Sequence, residues 1–213
     1  MGQKINPVGF RLGPLYTWTS RWYADRKTYR RFVLQDVQIR KILMSRLKIA
    51  GISRIEIERS INKMDIFVYV AKPGMVIGRG GTGMEEVKKF LLKMLKIKTG
   101  DKNTPKIDLK VEPIKEPNLD AYIIASNIAD QLMKRLPAKR VMNQALEKVL
   151  QAGAKGVRII LSGRIGGAEI ARREKVQSGI VSLSTLREKI DFAKVPALTK
   201  AGYIGIKVWI CKK

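Results

Sequence analysis

The sequence predicts an α+β fold in two domains. The first has the order helix, strand, strand, short helix, helix, strand; the second is an α/β domain with two helices packed on a four-stranded, mainly antiparallel sheet. Three observations lead there. Apolar residues switch repeatedly between helical spacing and strict alternation. A charged, proline-containing stretch at Glu112 to Pro117 separates two such sets. A hydrophobic share of 45% over 213 residues is ample for real cores. The predicted division is a basic N-terminal arm at 1–31, a first domain at 32–112, a hinge at 113–117 and a second domain at 118–213.

In the arm, Gly2, Gly9, Gly13, Pro7 and Pro14 disfavour regular structure. Lys4, Arg11, Arg21, Arg26, Lys27, Arg30 and Arg31 face only Asp25 and are interleaved with Tyr16, Trp18, Trp22, Tyr23 and Tyr29. Guanidinium groups pair with phosphate and aromatic faces stack on bases, so this mixture suits a nucleic acid. Trp22 and Tyr23 are equally compatible with folding back onto the domain.

A helix is predicted from about Arg30 to Ile49, with Val33, Val37, Ile42, Leu43 and Leu47 near helical spacing. Two alternating strands follow, Ser53 to Ser60 and Lys63 to Ala71, joined by a turn at Ile61-Asn62. A second helix spans about Gly83 to Ile97 and buries Met84, Val87, Phe90, Leu91, Met94 and Leu95, while Lys88, Lys89, Lys93 and Lys96 point largely elsewhere. After a break at Thr99 to Pro105, a third strand runs from Lys106 to Glu112 with Ile107, Leu109 and Val111 inward.

Between the second strand and that helix lies Lys72-Pro73-Gly74-Met75-Val76-Ile77-Gly78-Arg79-Gly80-Gly81-Thr82-Gly83-Met84. Glycines allow close backbone approach to a ligand, a helix start favours an anion, and Arg79 adds charge. The chemistry therefore points to phosphate. Gly78, Gly80 and Gly83 satisfy the dinucleotide string G-x-G-x-x-G, but Lys72 to Ile77 separate it from the strand, and the acidic candidates Asp101 and Asp108 fall in a break and mid-strand. No Gly-Lys-Ser or Gly-Lys-Thr ends the loop, so a Walker A site does not fit. The other reading is G-x-x-G, here Gly78-Arg79-Gly80-Gly81, which resembles the loop of a KH domain that clamps single-stranded backbone. The helix and strand before it match the type II arrangement. Val76 and Ile77 either support a base or fill the core.

In the second domain, Leu119, Ile123, Ile128, Leu132 and Leu136 form a helical stripe ended by Pro137, and a further helix runs from about Lys139 to Ala152. Four strands are expected at Gly156 to Ser162, Ala168 to Val176, Leu183 to Ile190 and Gly202 to Cys211. Arg158, Arg164, Arg172, Arg173, Lys175 and Arg187 make this sheet strongly basic, as a nucleic-acid face would be.

The whole chain carries 43 Lys and Arg against 18 Asp and Glu, a net charge of +25. A free globular domain ordinarily holds a net charge of about 2 to 8, so a polyanionic partner is expected. No apolar run is long enough to span a membrane. Histidine is absent and Cys211 stands alone, which removes the commonest neutral-pH base, a zinc cluster and an internal disulfide. No catalytic residue, metal or cofactor is expected, and a reducing compartment is.

The start Met-Gly-Gln-Lys-Ile-Asn-Pro-Val-Gly-Phe-Arg-Leu-Gly, the KH-like loop, the run from Ser162 through Gly-Arg-Ile-Gly-Gly-Ala-Glu-Ile-Ala to Arg172, and the ending Gly205-Ile-Lys-Val-Trp-Ile210 resemble bacterial-type small-subunit ribosomal protein three. The resemblance covers nearly the whole chain. It implies a structural part of the small-subunit head, bound to ribosomal RNA beside small-subunit proteins ten and fourteen, in a cytoplasmic ribosome, with an organellar one also compatible. It also implies a place at the entrance of the messenger RNA channel, where basic residues on the helix after the hinge help unwind structured messages and where Lys139 and Arg140 occupy the paired basic positions. Asn143 and Gln144 stand where relatives commonly carry two further cations, which weakens the case for strong unwinding. A solvated helix start is the competing reading of Lys139 and Arg140.

Overall fold

Asn6 caps the first helix: its side-chain oxygen accepts from the N–H groups of Val8 and Gly9, and Pro7 takes the first position, where its missing N–H is no loss. This helix, α1 (Pro7–Phe10), falls in the stretch expected to be irregular. The computed structural model describes residues 4–95 and 106–212. The chain divides into two compact units, one formed by the stretch ending at Thr17 together with everything from Glu116 onward, the other by Trp18–Lys115. The arm predicted over 1–31 is therefore not one piece. Its first part belongs to the second domain, and its last part supplies a strand and a helix turn to the first.

In the unit Trp18–Lys115, β1 (Ser20–Arg21) is followed by α2 (Arg26–Arg46), which starts earlier than the predicted Arg30. The buried positions of α2 are Asp36, Ile39 and Leu43, whereas Val37 of the predicted stripe is exposed. Asp36 explains the shift. Its carboxylate accepts from Ser20 Oγ, Trp22 Nε1 and Arg59 Nε, so a polar residue occupies the core side of the helix.

The hairpin β2 (Ile52–Arg59) and β3 (Lys63–Val70) forms as expected around Ile61 and Asn62. On β3, Met64, Ile66, Val68 and Val70 are buried in strict alternation. Next come α3 (Pro73–Ile77) and α4 (Thr82–Met94), which cross to β4 (Lys106–Pro113) lying parallel to β3. The order is β1-β2-β3-β4. Val87 and Leu91 of α4 join the core with Ile39 and Leu43, while Phe90 lies under the Arg46 guanidinium, 3.5 Å from the ring centroid. Lys96, the predicted end at Ile97 and the break at Thr99 to Pro105 lie outside the described residues.

In the other unit, Asp120 caps α5 (Ala121–Met133), accepting from the N–H groups of Tyr122 and Ile123. It is followed by α6 (Ala138–Gln151), β5 (Gly156–Gly163), β6 (Arg172–Gly179), β7 (Ile190–Thr199) and β8 (Gly202–Cys211). The sheet order is β6-β5-β8-β7 and every neighbouring pair is antiparallel. Ile124, Ile128, Val141 and Val149 of the helices pack on Val157, Ile159, Leu161, Ile206 and Val208 of one sheet face. The strand predicted at Leu183 to Ile190 does not form. The third strand begins where it was expected to end, and its Pro196 is accommodated because β7 is an edge. The preceding loop instead wraps a buried guanidinium, described below.

Candidate nucleic-acid interface

The glycine loop sits between two helices whose backbones nearly touch. A Cβ on Gly83 would lie 2.7 Å from the Val76 carbonyl oxygen, and one on Gly78 would lie 3.0 Å from Gly83 N. Gly78 (φ 71°) turns the chain out of α3, a single 3-10 turn holds Arg79–Gly81, and Gly81 (φ 83°) starts α4. No side-chain hydrogen bond caps α4, and Glu85 is the acidic residue in its first turn. Val76 is buried and belongs to the core, but Ile77 is 41% exposed beside the loop. The dinucleotide reading fails on this geometry. Although β3 and β4 are parallel, the glycines follow α3 rather than the strand, and Asp108 is held by Lys63 and Lys88 at 3.4 Å. Those two ammonium groups, outweighing the effect of its partial burial, keep the Asp108 carboxyl below its ordinary value.

The second sheet supplies a larger surface. Residues directly opposite across antiparallel strands share a face, so the register fixes which side chains meet. Turned away from α5 and α6 are three successive rows: Gln177, Arg158, Trp209 and Phe192; then Lys175, Ile160, Lys207 and Lys194; then Arg173, Ser162, Gly205 and Pro196. These rows hold no carboxylate. Arg158 donates from Nε to Gln177 Oε1 at 3.0 Å, and the Trp209 and Phe192 rings lie 5.1 Å apart. Lys207 stands directly opposite Lys194, an arrangement that is unfavourable without an anion to screen it. Arg158, Arg173 and Lys175 are thus brought together. Arg172 pairs with Gly163 in the alternate register and falls on the helix side, as does Glu174. Arg164 is partly spent on structure, donating from Nε to the Ala168 carbonyl at 2.8 Å and from Nη1 to that of Ala201 at 3.3 Å.

Lys194 and Lys207 are absent from the residues that sequence reasoning singles out. The signal for Lys207 is present in the alternation around it, but Lys194 lies on the strand that sequence reasoning misplaces.

Two arm residues change meaning. Arg11, expected to bind RNA, is fully buried. Its guanidinium donates to the carbonyls of Glu188 (2.7 Å), Thr185 (2.8 Å), Pro7 and Leu183 (3.0 Å each) and Ser182 (3.3 Å), which leaves nothing for a phosphate. Arg21 is half-exposed but paired with Glu56 at 2.8 Å and Glu58 at 2.9 Å. Lys4 is exposed. Trp22 packs against Tyr29 and Phe32, with centroids at 5.4 and 5.6 Å, whereas Tyr23 is 90% exposed. Folding back therefore describes Trp22 and not Tyr23.

Lys139 and Arg140 are exposed in the first turn of α6, where no acidic residue balances the positive end of the helix dipole. Asn143, Gln144 and Glu147 continue the same shallow depression. Among the described residues no His, Cys, Asp or Glu cluster is placed to hold a metal, and no helix is long and apolar enough to cross a membrane.

Known families match along both units. The KH domain family matches residues 38–119, and the family described as ribosomal protein S3, C-terminal domain, matches residues 128–210. Small ribosomal subunit protein uS3 of Caldicellulosiruptor bescii is 47% identical over 212 residues, covering 100% of this chain and 92% of that protein. The chain belongs to the uS3 family. The uS3 protein of Lactobacillus acidophilus is likewise 47% identical over 210 residues, covering 99% of this chain and 90% of its own length. Membership makes this uS3-family chain a ribosomal protein and not an enzyme, and its first domain a KH domain.

Proposed function

We propose that this uS3-family chain anchors small-subunit ribosomal RNA on the outer face of its second sheet, in the head of the particle and beside small-subunit proteins ten and fourteen. The observation that carries the anchoring is the row of Lys175, Lys207 and Lys194, which gathers three cations between two rows that hold no carboxylate, next to the apolar patch that Val181 and Leu183 cover. Arg158 and Arg173 extend it, Arg164 borders it through its remaining donors, and Lys4 and Arg172 supply peripheral contacts. Gly78, Arg79, Gly80 and Gly81 form a second contact, a sequence-tolerant cradle for single-stranded backbone. Replacing Lys175, Lys194 and Lys207 together by Ala tests the anchor. Each cation withdrawn from a phosphate should flatten the log–log salt dependence of ribosomal RNA binding by about 0.7 to 0.9, so the triple variant should lose roughly 2 to 3 in slope. An unchanged slope would place the anchor elsewhere.

A messenger RNA contact rests on the positive end of α6. Lys139 and Arg140 attract a passing phosphate backbone, while the neutral Asn143 and Gln144 one turn on limit the grip. Changing both cations to Ala should slow translation through a stable message hairpin. Equal speed would remove this role and leave the anchor intact.

A further inference from the structure

The second domain contains a cleft of about 590 Å³ between the turn joining α5 to α6 and the loop after β5. Its walls are aliphatic: Leu132 and Leu136 on one side, Ile165 and Ile204 on the other. No aromatic ring is among the described residues that line it. Around the rim stand Arg135, Lys139, Arg164 and Lys200, with Glu174 the one carboxylate in the described lining.

The backbone that places Arg135 there is unusual. Leu136 N–H donates to the Gln131 carbonyl at 3.2 Å and Arg135 N–H to that of Leu132 at 3.0 Å, the paired bonds of a Schellman helix end. Its left-handed position is ordinarily glycine, yet Arg135 occupies it at φ 63° and is the only non-glycine residue with positive φ among the described residues. The apolar residue that follows in this motif, Leu136, is 44% exposed and lines the cleft. The opposite wall is made rigid by Arg164, whose Nε and Nη1 tie the loop through two carbonyl bonds while Nη2 takes part in neither.

We propose that this cleft is a docking site for a protein segment that is acidic and carries bulky aliphatic side chains. The aliphatic walls take the apolar side chains and the rim cations take the carboxylates. Single-stranded nucleic acid fits less well, because bases stack chiefly on aromatic faces and the described lining offers no ring, although the Arg135 guanidinium can hold a phosphate. The cleft lies on the helix side of the sheet and shares Arg164 with the border of the proposed anchor and Lys139 with the messenger contact, but it includes none of Lys175, Lys194 and Lys207.

The test uses the full chain and two short fluorescein-labelled peptides of equal charge, Gly-Ser-Asp-Glu-Leu-Leu-Asp-Glu-Gly-Ser and the same peptide with both leucines replaced by serine. The leucine peptide should bind about tenfold or more tightly, as burial of two leucines requires. Leu136→Asp should abolish that preference. Arg135→Gly, which relieves the backbone and so keeps the fold, should weaken the leucine peptide several-fold while thermal stability stays equal or rises. The proposal is overturned if neither peptide binds, if both bind alike, or if the leucine preference survives Leu136→Asp. It is also overturned if oligouridylate displaces the leucine peptide and is itself weakened by Leu136→Asp, since the cleft then belongs to RNA.

Discussion

Truncating Arg11 to Ala separates a structural cation from an RNA-binding one. The side chain is fully buried and donates to five backbone carbonyls, those of Pro7, Ser182, Leu183, Thr185 and Glu188. Net contributions of about 1 kcal/mol per bond, with some carbonyls rehydrated once the guanidinium is gone, put the loss at roughly 3 to 5 kcal/mol. For a unit of this size a urea slope near 2 kcal/mol/M converts that into a midpoint lowered by roughly 1.5 to 2.5 M. Trp209 lies in this unit and Trp18 and Trp22 in the other, so urea titration in a Trp18→Phe, Trp22→Phe background reports the right transition. Arg11→Lys should recover only part of the loss, since one ammonium cannot reach five carbonyls. A midpoint unchanged by Arg11→Ala, or ribosomal RNA affinity lost at full stability, would refute the reasoning and return Arg11 to the interface.

Asp36→Ala should destabilise the KH unit by about 3 to 5 kcal/mol in chemical denaturation, because it strands the buried Arg59 charge along with Trp22 Nε1. Gly83→Ala should open the gap between α3 and α4 against the Val76 carbonyl and weaken binding to single-stranded RNA more than binding to folded ribosomal RNA. The Glu188 carboxyl is held below its ordinary value of 4.5 chiefly by the Lys155 ammonium and then by the Cys211 thiol, and Lys155 is raised in turn. That contribution is present above the unfolded carboxylate value and is lost as pH falls through the lower folded one. The melting temperatures of the native chain and Glu188→Gln should therefore differ at neutral pH and begin to converge as pH falls below about 4.5, closing once it is below the lowered folded value; a constant gap would show the pair to be uncoupled from folding.

What the sequence made legible was what local pattern controls. The alternation on β3, the turn at Ile61-Asn62 and the Pro137 break between α5 and α6 could be read because backbone preference and burial agree there. The glycine loop was legible for the same reason, since its conformations need glycine. Asp36 was not, because an acid on the core side is explained only by Ser20, Trp22 and Arg59, which lie elsewhere in the chain. β7 is not legible, since Asp191, Lys194 and Pro196 blur its alternation and only its edge position makes the proline harmless. The charge of Arg11 suggests a surface contact, but its role is decided by carbonyls more than 170 positions away.

The order of the two units along the sequence, one interrupted by the other, sets an order of events during synthesis. Trp18–Lys115 is continuous and can close as soon as it emerges, but Arg11 waits for Glu188, 177 residues later. At about 5 to 20 residues per second that gap lasts roughly 10 to 35 s, during which an arginine destined for a dry interior is exposed to every polyanion in reach. A nascent chain stalled before Ser182 should therefore stick to RNA through its N-terminus, a contact the finished protein no longer makes.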